Sequence, residues 1–99
     1  MASGVTTSAV LTADGVAATC GTVDGKKTQL TYFGFSARAT VAGTVNIRQG
    51  TATGPVLDTL EIPVAPSLHQ WYGPQGRRVT DDIFVDVVDG TVEVVVFYG

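Results

Sequence analysis

Residues 82–98 read DIFVDVVDGTVEVVVFY, two alternating apolar runs around Asp89-Gly90. A period of two is the signature of a strand with one buried face. A two-residue Asp-Gly loop favours a type I′ hairpin turn, which pairs Val88 with Thr91 and sets the register outward from there. In that register Ile83, Val85, Val87, Val92, Val94 and Val96 all point to one side, a wholly aliphatic face expected to be the core. The other side sets Phe84 across from Val95, and Asp86 across from Glu93. Like charges directly opposed are unfavourable in a sheet. A basic side chain on the next strand, solvent or a cation must relieve them, and two carboxylates fall short of a calcium shell. Phe84, Val95 and Phe97 make this outer face too apolar to be freely solvated. Cover is expected from the amino-terminal segment, a second subunit or a larger assembly.

The same grammar extends upstream. LTYFGFSARAT places Leu30, Tyr32, Gly34 and Ser36 on one face and Phe33, Phe35 and Ala37 on the other. TVNIRQ turns Val45 and Ile47 inward, with Asn46 and Arg48 outward. VLDTLEIPV aligns Leu60, Ile62 and Val64, and Pro63 points to an edge strand or a strand end. Asp-Gly at 14–15 and 24–25 flanks VAATCGTV, which reads as short strands and tight turns. No apolar stripe of helical period and length occurs. The expected class is therefore all-β: a small antiparallel β-sandwich or jelly-roll-like barrel of about six to eight strands. Residues 1–12 have little to bury and read as an extended arm, with 13–99 as a single domain.

Composition narrows the function classes. The chain is 44% hydrophobic and 15% charged, which describes a globular domain, and its net charge of −3 speaks against nucleic acid as partner. All six basic residues lie between Lys26 and Arg78, and everything charged beyond is acidic. The single cysteine, Cys20, cannot form an intrachain disulfide and reads as a small buried residue in a reducing compartment, with a nucleophile as the alternative. MASGVTTSAV lacks the basic start of a secretory signal, and the apolar runs are too short to span a bilayer. A soluble product made in the cytoplasm is expected, without membrane contact.

The most distinctive stretch is SLHQWYGPQGRRVTDD, residues 67–82, which holds the only His and the only Trp. No nucleophile elbow, zinc-binding pair, phosphate loop or dinucleotide fingerprint accompanies it. His69 alone cannot build a histidine-rich metal site. It reads as a surface or turn residue, or as one general base without an evident acidic orienter. Asp81 and Asp82, as neighbours on a strand, would point to opposite faces and so cap the following turn instead of sharing a substrate. Trp71 serves either to close the core or to make contacts. Trp71, Tyr72, Arg77 and Arg78 have the composition of a docking loop. Together with Phe84, Val95 and Phe97 they are the interface candidates. No catalytic residue, cofactor or metal is expected.

The segments GFSARATVAGTVNIRQGTATGPVLDTLEI, WYGPQG and IFVDVVDGTVEVVVFYG resemble short proteins encoded among the virion genes of tailed bacteriophages, especially those of actinobacterial hosts, over about residues 32–99. The resemblance implies a structural particle protein similar to small capsid decoration, or cement, proteins. Its partners would be the major capsid protein or other virion proteins, its state a homo-oligomer (a trimer by preference), and its location the virion. The alternative is a carbohydrate- or host-surface-binding module of a tail fibre or baseplate, with Trp71 and Tyr72 as a stacking platform. A small hydrolase using His69 is the third reading.

Overall fold

The computed structural model describes residues 5–99, which contain strands and no helix. The strands are β1 (Thr6–Thr7), β2 (Gly15–Ala18), β3 (Thr22–Val23), β4 (Lys26–Lys27), β5 (Leu30–Val41), β6 (Gly43–Gln49), β7 (Val56–Ile62), β8 (Leu68–Trp71), β9 (Arg77–Val79), β10 (Ile83–Val87) and β11 (Thr91–Tyr98). One sheet runs β1-β11-β5-β8, with β9 also on β5; the other runs β2-β10-β6-β7. All pairings are antiparallel. If β8 and β9 count as one interrupted edge strand, and the small β3–β4 hairpin is set aside, eight positions remain. Their order is that of a jelly roll: first, eighth, third, sixth in one sheet and second, seventh, fourth, fifth in the other. The class read from the sequence is the class observed. The surplus over six to eight strands is the extra hairpin and the split edge.

The closing pair of strands is not a hairpin. β10 pairs with β2 and β6, whereas β11 pairs with β5 and β1, so the chain changes sheets at residues 88–90. The six aliphatic side chains still converge, from opposite walls of one core: Ile83, Val85, Val92, Val94 and Val96 are buried and Val87 partly so. The physical reason lies in the turn. A type I′ loop needs positive φ at both central residues, and Asp24-Gly25 supplies it (53° and 76°) between β3 and β4. At 89–90 only Gly90 is positive, at 83°. Instead Asp89 Oδ1 accepts the Thr44 amide at 2.7 Å, and Val88 N donates to Thr44 O at 2.9 Å. The corner is thus tied to β6, in the other half of the chain.

A second sheet change is packed against the first. β5 and β6 are separated by Ala42 alone, yet lie in different sheets. The two corners touch glycine to glycine: a Cβ on Gly43 would lie 2.1 Å from Asp89 O, and one on Gly90 would lie 2.6 Å from Gly43 Cα.

Three further expectations are corrected. Asp86 and Glu93 do not oppose each other, because they stand on opposite sheets. Asp86 meets Arg48 Nε at 2.9 Å and Glu93 is ion-paired with Arg38. Each is relieved by a basic residue on the adjacent strand. Phe84 is not across from Val95, and the outer apolar residues are divided between two faces of the sandwich. Finally, Leu30 and Tyr32 do not share a face with Gly34 and Ser36. A β-bulge at Phe33, where Phe97 pairs Gly34 but Tyr98 pairs Tyr32, turns Tyr32 inward together with Phe35, Ala37 and Ala39.

Residues 6–11 are extended but do not project: Thr6 and Thr7 pair with Tyr98 and Phe97, and Leu11 bridges Val94. Ser8 is buried, and its Oγ takes the place of a ladder carbonyl, accepting Val96 N at 2.9 Å. The first four residues of the expected arm lie outside the described residues. At the other terminus Gly99 exchanges both backbone bonds with Thr31.

Candidate functional site

The 67–82 stretch is an edge strand with a loop pushed out of it. β8 pairs with Gly34–Ala37 and β9 with Leu30–Tyr32, so five inserted residues, 72–76, lie opposite the single bulged Phe33. The reversal closes with Gly76 N on Gly73 O at 3.2 Å. Its side chains part company at once. Trp71 lies on the outer face of the β5 sheet, half exposed, with one ring face stacked on the buried Phe33 (centroids 5.3 Å, planes 23° apart). Tyr72 turns to the open side between the sheets, where it and Tyr32 both donate to Asp58 Oδ2, Tyr32 at 3.1 Å. Arg77 reaches across to Leu57 O at 2.8 Å, and Arg78 turns away to Gln29 Oε1 at 2.7 Å. Trp71 and Tyr72 therefore do not form one stacking platform, and the four loop candidates do not form one surface.

Tyr72, Arg77 and Asp58 make a strap joining the β8–β9 edge to β7. Burial, then the Asp58 carboxylate, pushes the Tyr72 phenol up to about 12, against the opposing charge of Arg77. Burial raises the fully enclosed Tyr32 phenol further. The unfolded chain, with phenols near 10, gives up these protons first. The strap's contribution is complete below pH about 10 and is lost as pH rises through about 12. Urea-unfolding midpoints should fall over this interval, and less steeply in Tyr72→Phe. Equal slopes for both proteins would contradict the raised proton affinity of this phenol.

Asp81 and Asp82 also depart from expectation. They sit in a bend, not on a strand, and both carboxylates converge on Lys27 Nζ, which is ion-paired with Asp81 and lies 3.4 Å from Asp82. The hydrogen bond to Asp81 is the largest cause raising the Lys27 ammonium, and its reciprocal holds the Asp81 carboxyl below the usual range. Asp82 Oδ1 also accepts the Cys20 amide at 2.7 Å, anchoring the β3–β4 hairpin. Cys20 is buried, its thiol donating to Thr28 O at 2.6 Å.

The outer face of the β5 sheet is ordered in rows by its register. Phe97, Gly34 and Trp71 form the first row; Val95, Ser36 and His69 the second; Glu93 and Arg38 the third. Rows stand about 7 Å apart along the strands. Because β5 presents only Ser36 between the taller Val95 and His69, a trough of about 300 Å³ lies along it, walled by Val95, Val10, Ser67 and His69 and ended by Arg38–Glu93. Ser36 Oγ lies 2.7 Å from His69 Nδ1. On the opposite face Val16, Phe84, Arg48 and Val56 form one row, with both valines exposed and Phe84 half-buried.

Ser36, Arg38 and Asp58 were not singled out in the sequence. Asp58 carried a signal: it has the inward parity of Leu60 and Ile62, so an acidic residue was aimed at the interior. Among the described residues no cluster of His, Cys, Asp or Glu is placed to hold a metal ion, and no helix is long and apolar enough to cross a membrane. The chain matches no protein-family model, and no curated protein or solved structure matches it.

Proposed function

We propose that this chain is a non-enzymatic structural protein of a phage particle that decorates the assembled head shell. The observation that carries the reading is the row Val16–Phe84–Arg48–Val56, a partly exposed apolar strip on an outer sheet face with its one cation already paired to Asp86. Such a surface acts by adhesion to another protein. Support also comes from the virion-protein resemblance over residues 32–99, and from the jelly-roll order, an architecture that recurs in viral capsids. Fold alone carries no function, so the weight rests on the strip.

The mechanism is mass action. A protein that binds the assembled shell and not its dissociated subunits stabilises the shell by about 2.7 kcal/mol per site at a hundredfold excess over Kd. Homo-oligomers about a local symmetry axis, trimers by preference, add avidity. The partner is the major capsid protein, and the location is the virion after synthesis in the host cytoplasm. Phe84→Glu places a charge in the middle of the strip. It should lower occupancy on purified heads at least tenfold while leaving the melting transition of the free protein cooperative. Unchanged occupancy with a folded variant would remove the strip from the docking surface.

A further inference from the structure

We infer that the trough along β5, on the sheet face opposite the Phe84 strip, is a binding site for a neutral saccharide. The inference goes beyond the head-docking reading and does not rest on it, because it uses the other side of the sandwich.

The backbone of β5 is hydrogen-bonded to β11 on one side and β8–β9 on the other, so an incoming peptide cannot be read by strand addition. Recognition has to pass through side chains standing perpendicular to the sheet. Those side chains are mixed in a particular way. Ser36 and His69 can each donate or accept, Arg38 donates, and Glu93 accepts. Arg38 and Glu93 cancel each other's charge, so the trough favours neither an anion nor a cation. A set that offers donors and acceptors at no net charge matches hydroxyl groups, which are both.

The aromatic component is equally specific. Trp71 is half exposed, and one of its faces is spent on Phe33, which fixes the ring's orientation before any ligand arrives. Its other face is available to the flat C–H surface of a sugar ring. Trp71 stands one row beyond the trough, and Gly34 opposite it sets no side chain between the indole and Ser36. A side chain there would strike Gln70 O at 2.0 Å, so β8 holds its close approach only with glycine opposite. Two rows separate the indole from the Arg38–Glu93 pair, about 14 Å along the strands. That span suits a short oligosaccharide that fills the trough, hydrogen-bonded at the Arg38–Glu93 end, and reaches one row beyond it to stack on the indole.

Trp71 is the chain's only tryptophan, so its fluorescence reports the site directly. The experiment titrates the intact protein with soluble neutral oligosaccharides of glucose, mannose and galactose, with a printed glycan array in parallel. A saturable emission change is expected with at least one neutral series. Arg38→Ala and His69→Ala should each weaken it tenfold or more at unchanged thermal melting, and Phe84→Glu should leave it unaltered. These two variants lie outside the Trp71–Phe33 stack, so the test survives even if Trp71→Ala fails to fold. Binding of charged glycans alone, affinity indifferent to both Arg38→Ala and His69→Ala, or no saturable change with any sugar would overturn the proposal. So would a shift in Trp71 emission when the protein docks on sugar-free heads, because the trough would then be a protein contact. Loss of head occupancy in Phe84→Glu with sugar binding intact would separate the two readings.

Discussion

Gly90→Ala should lower stability by about 4 kcal/mol, combining about 1–3 for holding alanine at positive φ with about 1–3 for overpacking. The change should lower the melting temperature by roughly 15–30 °C. At φ 83° a Cβ would stand 2.6 Å from Gly43 Cα and 2.7 Å from both Ala42 O and Val41 O. These are main-chain atoms of the other sheet change, so neither corner can yield without moving a strand. Gly43→Ala should cost a comparable amount, since its Cβ would meet Asp89 O at 2.1 Å. Gly25 is the internal control. Its φ of 76° is nearly the same, but nothing lies within 4 Å of an added Cβ. Gly25→Ala should therefore cost only about 1 kcal/mol. Urea unfolding of the three variants decides the matter: equal losses at Gly25 and Gly90 would mean that backbone strain alone acts and that the corners do not lock each other.

Asp58→Ala should destabilise by about 3 kcal/mol, out of proportion to a half-buried surface carboxylate. Tyr32 is 1% exposed and its hydroxyl donates to Asp58. Removing the acceptor leaves a buried donor without a partner, and Tyr72 loses its anchor on β7 in the same step. Tyr32→Phe removes the donor instead and should cost only about 1 kcal/mol, because Asp58 keeps Tyr72 and solvent. The double variant should then be less damaging than the two single losses added together. Strict additivity in that cycle would show that the Tyr32 hydroxyl finds another partner.

Both predictions turn on features that a sequence pattern encodes only in part. The parity of Asp58 with Leu60 and Ile62 was legible, and it announced an inward carboxylate. Which hydroxyls would meet it was not, since Tyr32 comes from a strand of the other sheet and Tyr72 from the loop pushed out of that sheet's edge, 26 and 14 residues away. The Asp-Gly dipeptide was equally ambiguous: at 24–25 it makes a hairpin, and at 89–90 a corner between sheets. Local turn chemistry permits both. The Thr44 amide, waiting for the Asp89 carboxylate, selects the second.

The remaining misreadings share this origin. One extra residue at Phe33 reverses the facing of Leu30 and Tyr32, and bulges leave no mark in a period-two pattern. As strand neighbours Asp81 and Asp82 would diverge, but in a bend they converge on Lys27. Alternation puts Phe84, Val95 and Phe97 on one surface only if a hairpin joins their strands, and none does.

By itself the sequence determined that this is an all-β chain and that Ile83, Val85, Val87, Val92, Val94 and Val96 face the core. Alternation states which side of its own strand a residue occupies, and burial of apolar surface rewards that choice whatever the strand pairs with. The tertiary structure alone decided which sheet each strand joins, and hence that Trp71 and Phe84 face opposite directions. Strand partnership is settled by backbone hydrogen bonds and cross-strand side-chain pairs between distant segments, and alternation along one strand does not say which segment that partner is.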